Sequence, residues 1–76
     1  MTTRYTKNSL ISDLADLNKD LVNNGLPEYK FKYQGRNGYH AVDLYKNGKC
    51  LRCVDCNETP KDLYYISLEQ FENLMN

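Results

Sequence analysis

The chain reads as a small α+β domain of two layers, a helix, an antiparallel meander of three or four strands, and a short closing helix. Three observations predict this class. Apolar residues recur at helical spacing from Leu10 to Val22. Two Asn-Gly pairs divide the middle of the chain into alternating stretches. A final run of helix signals precedes Met75. With 76 residues, there is room for a single domain, 1–76, in which 1–8 is expected to be a flexible tail.

The first helix is carried by Leu10, Leu14, Leu17 and Leu21, with Ile11 and Val22 flanking the stripe. That pattern buries one side of a helix. Ser9 is placed to cap it, since its hydroxyl can accept from an otherwise unpaired backbone N–H. Asn23-Asn24-Gly25 ends it: Gly25 suits the left-handed position after a helix, Leu26 can fold back on Leu21, and Pro27 prevents a restart.

Tyr29-Lys30-Phe31-Lys32-Tyr33-Gln34 alternates apolar and polar, as a half-buried strand does. Asn37-Gly38 and Asn47-Gly48 both suit two-residue hairpin turns, because Asn and Gly accept positive φ. Tight turns fix the register. The first hairpin pairs Arg36 with Tyr39, Gln34 with Ala41, Tyr33 with Val42, Lys32 with Asp43 and Phe31 with Leu44. The second is expected to pair Tyr45 with Cys50, Leu44 with Leu51, Asp43 with Arg52, Val42 with Cys53 and Ala41 with Val54. One face then carries Phe31, Leu44, Leu51, Tyr33, Val42 and Cys53. The other places Asp43 between Lys32 and Arg52. A one-residue slip would turn a strand inside out, so agreement between turns and faces supports the meander.

The last third admits two readings. In the favoured one, residues 57–62 turn, Leu63–Ile66 forms a short edge strand, and Ser67-x-x-Gln70 caps a helix from Leu68 to Met75, with Ile66 and Phe71 as its hydrophobic staple. In the other, Thr59 caps a single helix that opens on Pro60 and runs to Met75. An apolar edge strand at Leu63–Ile66 would favour a homodimer.

Ten basic and ten acidic residues balance to zero, but unevenly. Between Tyr29 and Arg52, Lys30, Lys32, Arg36, Lys46, Lys49 and Arg52 face Asp43 alone. The first helix and the segment after Asp55 are acidic. The apolar runs are too short for a membrane span. The first residues lead into no apolar signal region, so a cytoplasmic protein is expected. Three cysteines, an odd number, fit a reducing compartment better than a disulfide framework.

Cys50, Cys53 and Cys56 form C-x2-C-x2-C, with His40 upstream. They are the candidate ligands for a zinc ion, which needs its donors to converge tetrahedrally. The expected register turns Cys53 toward the helices and the other two away, so neither a metal nor another cofactor is expected. An iron–sulfur run fails for want of a fourth cysteine. His40 opposite Gly35 and Asp55 suggests no nucleophile, base and pocket together, and no enzyme is expected. Gly35-Arg36-Asn37-Gly38 precedes a strand and lacks the helix N-terminus of a phosphate loop.

The polar sheet face is the candidate partner-binding surface, through Lys30, Lys32, Arg36, Tyr39, Asp43, Tyr45 and Arg52, with Gln34, Ala41, Cys50, Val54 and Cys56 beside them. Nothing is left in the sequence to cover it. Tyr and Arg dominate contact energy in protein interfaces. The same mixture suits single-stranded nucleic acid, by stacking on Tyr39 and Tyr45 and pairing with phosphate. Asp43 at the centre and the zero net charge weigh against that alternative.

The stretch Tyr33-Gln34-Gly35-Arg36-Asn37-Gly38-Tyr39-His40-Ala41-Val42-Asp43-Leu44-Tyr45, continuing to Cys53, resembles segments of small phage- and prophage-encoded accessory proteins of low-GC bacterial hosts. The likeness covers about a third of the chain and carries no catalytic motif. It implies a small intracellular protein that binds a host component, anti-CRISPR proteins among them, with the acidic helix face as a second surface able to imitate phosphate. A protein partner is therefore the first expectation, nucleic acid the second and a zinc module the third.

Overall fold

The computed structural model describes residues 4–36, 38–57 and 59–76, with the backbone alone described for Arg36, Cys56 and Asn57. In chain order it has helix α1 (Lys7–Asn23), strands β1 (Tyr29–Arg36), β2 (Tyr39–Lys46) and β3 (Lys49–Asn57), and helix α2 (Pro60–Met75). The strands form one antiparallel sheet in the order β1-β2-β3. Leu10, Leu14, Leu17 and Leu21 of α1 and Leu63 of α2 share a core with Phe31, Val42 and Leu44, so both helices cover the same sheet face. The protein is a two-layer α+β domain.

Helix α1 begins before Ser9. Thr6 is its N-cap: the Ser9 backbone N–H donates to Thr6 Oγ1 and the Thr6 N–H donates to Ser9 Oγ, each at 3.3 Å, which satisfies two end groups reciprocally. Lys7 and Asn8, expected in the tail, are therefore helical, while residues 1–3 lie outside the described residues. At the other end Gly25 has φ +80°, its N–H donates to the Val22 carbonyl and that of Leu26 donates to the Leu21 carbonyl, the paired closure that a left-handed Gly permits.

The segment before α1 is tied down. The Tyr5 hydroxyl donates to Asp13 Oδ2 at 2.6 Å, and its ring lies 6.1 Å from that of Tyr64 on α2. Burial, followed by the bonded carboxylate of Asp13, holds the Tyr5 phenol well above the usual tyrosine range. Its folded value exceeds the unfolded one of about 10, so the stabilisation is complete below that pH and is lost as pH rises through the folded value. Absorbance titration is expected to show one phenol ionising later than the rest, and Tyr5→Phe to remove that late step. A late step that persists in the variant would refute the assignment.

The first hairpin has the register its turn demands, with Phe31 opposite Leu44, Lys32 opposite Asp43 and Arg36 opposite Tyr39; Asn37 itself lies outside the described residues. Tyr33 leans along β1 and its hydroxyl is hydrogen-bonded to Nδ1 of His40. The ring passes so close to Gly35 that a Cβ there would stand 3.0 Å from the phenol oxygen, which is why a glycine occupies this strand position.

The second hairpin departs from the expected register. Tyr45 pairs with Cys50 as predicted, but Leu44 then faces Arg52, Asp43 faces Cys53, Val42 faces Asp55 and Ala41 faces Cys56. Nine residues of β3 therefore run beside seven of β2, with register shifts that leave Leu51 and Val54 as the extra residues. Each is a bulge, in which two residues oppose one and the strand bends. Leu51, expected in the core, is 52% exposed. Val54, expected outside, packs against the core. Cys53, expected inside, is exposed. His40 lies opposite Asn57 rather than Asp55.

The favoured reading of the last third is also corrected. Residues 63–66 are not a strand and Ser67 is not a cap; α2 is one helix from Pro60, with Thr59 as N-cap and Asp62 in the first turn, where a negative charge suits the helix dipole. Ser67 is fully buried, and its hydroxyl donates to the Leu63 carbonyl at 2.7 Å, so the polar atom is satisfied inside the helix. The dimer edge predicted at Leu63–Ile66 does not exist.

One contact shapes the free side of β1. Asn18 of α1 donates from Nδ2 to the Phe31 carbonyl at 2.9 Å and accepts the Phe31 N–H on Oδ1 at 2.7 Å. A helix side chain thus supplies both hydrogen bonds that a neighbouring strand would otherwise make.

Candidate functional site

The sheet face opposite the helices is built rung by rung. Lys30, Tyr45 and Cys50 share one rung, Lys32, Asp43 and Cys53 the next, then Gln34, Ala41 and Cys56, and finally Arg36 and Tyr39. Side chains on directly opposed residues share a face. Of the residues predicted for this surface, Lys30 and Lys32 are exposed and Tyr39 is 36% exposed. The side chain of Arg36 lies outside the described residues. Arg52 is exposed but pairs with Leu44, one row away from Asp43, so the predicted charge triad reduces to the Lys32–Asp43 pair.

Asp43 is the main correction here. It is only 6% exposed, although no helix covers it. Tyr45 and Gln34 flank it on the same face. The Tyr45 hydroxyl accepts from Gln34 Nε2 at 3.3 Å, two rungs away, so the ring must lie along the sheet across the Asp43 rung. Lys32 Nζ stands 5.9 Å from the centre of that ring, within the range of cation–π attraction. The carboxylate predicted at the centre of the surface is thus buried, while Lys32 opposite it is exposed and stands against the Tyr45 ring. Gln34, not singled out from sequence, is the residue that holds the Tyr45 hydroxyl. Its place beside Tyr45 on one face was legible, but a contact across two rungs was not.

The two layers differ in charge. The helices carry Asp13, Asp16, Asp20, Asp62, Glu69 and Glu72 against Lys7, Lys19 and Lys61. The strands carry Lys30, Lys32, Arg36, Lys46, Lys49 and Arg52 against Asp43 and Asp55. On the face away from the helices this leaves Lys30 and Lys32 as the exposed cations, while Lys46, Lys49 and Arg52 fall on the rows of Tyr29 and Leu44 at the borders of the helix-facing side.

The bulges bring Cys50, Cys53 and Cys56 onto successive rungs of this face, because each inserted residue reduces a spacing of three on β3 to two on β2. Such rungs are about 6.6 Å apart at 3.3 Å per residue, a row rather than the cluster that one metal ion gathers. Among the described residues, no three His, Cys, Asp or Glu side chains converge as a metal site; the Cys56 side chain lies outside them. His40 is engaged with Tyr33 on the other face. Also among the described residues, no helix is long and apolar enough to cross a membrane.

No family model, curated protein or solved structure matches this chain. The functional reading therefore rests on the surface itself.

Proposed function

We propose that this protein is a non-catalytic binding module that docks the acidic surface of a protein partner on its uncovered sheet face. The observation that carries the reading is the burial of Asp43 on a face where Tyr45 is held by Gln34 and Lys32, which leaves a cationic and partly aromatic surface. Pre-ordered Tyr and Lys side chains lose little conformational freedom on contact, which favours association. The resemblance of the 33–53 stretch to phage accessory proteins makes a bacterial host complex in the cytoplasm, such as a CRISPR effector, the first partner to try.

The test uses the Lys30→Glu/Lys32→Glu double variant, both sites being exposed. Affinity capture from a low-GC bacterial lysate is expected to recover a partner with the wild type and to lose it by about tenfold or more with the variant. Because Lys32→Glu sets a second carboxylate opposite Asp43, circular dichroism checks that the variant is folded, and Lys30→Glu alone serves if it is not. Equal recovery would remove the sheet face from consideration.

One observation favours a second reading. The burial of Asp43 removes the anionic centre that opposed nucleic acid, and leaves exposed lysines that can pair with phosphate. Against it, Tyr45 already holds Lys32 and Gln34 and offers no free ring for stacking. A strongly salt-dependent gel shift with a single-stranded oligonucleotide would select this second reading over the first.

A further inference from the structure

We infer that the groove between α1 and the free side of β1 takes an extended, acidic segment of a protein partner by strand addition. This site shares Lys32 with the outer sheet face but is otherwise formed by other residues, and its test varies Ala15 and Ile11, which that face does not include. Ile11, Leu14, Ala15, Asn18, Phe31 and Tyr33, with Lys32, line a cavity of about 180 Å³ there. That is comparable to the apolar cavities of about 150 Å³ that admit a benzene-sized guest, so it has room for one apolar side chain.

The backbone beside the cavity dictates an extended chain. Among the described residues β1 has only β2 as a strand neighbour, so alternate residues point their N–H and C=O away from the sheet. Phe31 belongs to this outward set, as its bonds to Asn18 show. The period of two adds Tyr29, Tyr33 and Gly35. The Tyr29 N–H is used by the Leu26 carbonyl. Tyr33 and Gly35 remain as two donors and two acceptors in a row, and an extended backbone is the group that meets all four. Asn18 closes one end of the strip and sets where the added strand must stop.

The flank of α1 facing this strip is apolar. Ile11 and Val22, 41% and 57% exposed, lie on it at helical spacing with Ala15 and Asn18. The acids of α1 fall on the other flank, where Asp13 holds Tyr5. Lys7 stands over the Tyr33 ring at 5.3 Å, so cations border the groove at Lys7 and Lys32. Charge complementarity selects an acidic segment with an apolar anchor.

The test selects a displayed library of random heptapeptides on the immobilised protein, then follows the synthetic winners by amide NMR. Peptides with an apolar centre and acidic flanks are expected to emerge and to shift the amides of Tyr33, Gly35 and Ala15. Ala15→Arg, at an exposed position that leaves the core intact, is expected to weaken binding by about tenfold or more. N-methylation of alternate peptide amides is expected to abolish it. No enrichment, shifts confined to the Lys30–Cys50 face, or equal binding to Ala15→Arg would overturn the inference. Ile11→Lys, also exposed, serves if Ala15→Arg fails to fold.

Discussion

Phe31→Ala is expected to lower the stability of this domain by about 3–5 kcal/mol, the usual cost of removing a fully buried aromatic ring together with the cavity it leaves. Phe31 is 1% exposed and packs between the two layers, in the core with Leu44 on the next strand and the leucines of α1. Domains hold roughly 0.05–0.15 kcal/mol per residue, or about 4–11 kcal/mol for a chain of this length. The loss is therefore at least about a quarter of the total and can be all of it. A urea titration is expected to move the midpoint sharply downward, or to find the variant unfolded before denaturant is added. A shift worth less than about 1 kcal/mol would mean that the ring is not where the helices meet the sheet.

The second large effect is at Asn18. Asn18→Ala removes both bonds to the Phe31 backbone, leaving a part-buried donor and acceptor unmatched, at a cost of about 1–3 kcal/mol. Ala is the better helix former, which returns up to roughly 0.7 kcal/mol, so the net loss is about 1–2 kcal/mol. Hydrogen exchange separates this mechanism from a general loosening. The Phe31 amide is expected to lose protection more than those of Leu21 or Val42. Asn18→Asp is expected to be worse than a simple cap loss implies, since its carboxylate can accept the Phe31 N–H but repels the Phe31 carbonyl. Uniform loss of protection in both variants would count against a local role for Asn18.

The parts legible in the sequence were those set by short-range rules. Leucines at helical spacing placed α1 on the core, and the Asn37-Gly38 pair gave the register of the first hairpin, each of the five rungs named from sequence being present. The second hairpin follows its turn for only two rungs, because a bulge has no turn chemistry to announce it. The thiols recurring every third residue on β3 were its trace, and an assumption of regular pleating turned Cys53 and Val54 to the wrong faces. In the last third, Leu63-Tyr64-Tyr65-Ile66 fits strand and helix alike. Pro60 at the first turn decides for the helix, and Ser67 is accommodated by its bond to Leu63.

At the candidate site, the lysines and Tyr39 were found from alternation alone. The burial of Asp43 was not, nor was the direction Tyr45 takes across the sheet. Asn18 left a fainter sign: a poor helix former in mid-helix, on the flank of a leucine stripe.

The two borders of the sheet also bear on behaviour at high concentration. Cross-β stacking needs about six consecutive residues able to lie flat in register with identical copies. On β1 the Asn18 amide occupies the middle of the strand, and on β3 the displaced Leu51 and Val54 interrupt the ladder twice. Neither border presents an unbroken run of that length, so the folded domain supplies no template for fibril growth, and amyloid formation would first require the sheet to come apart.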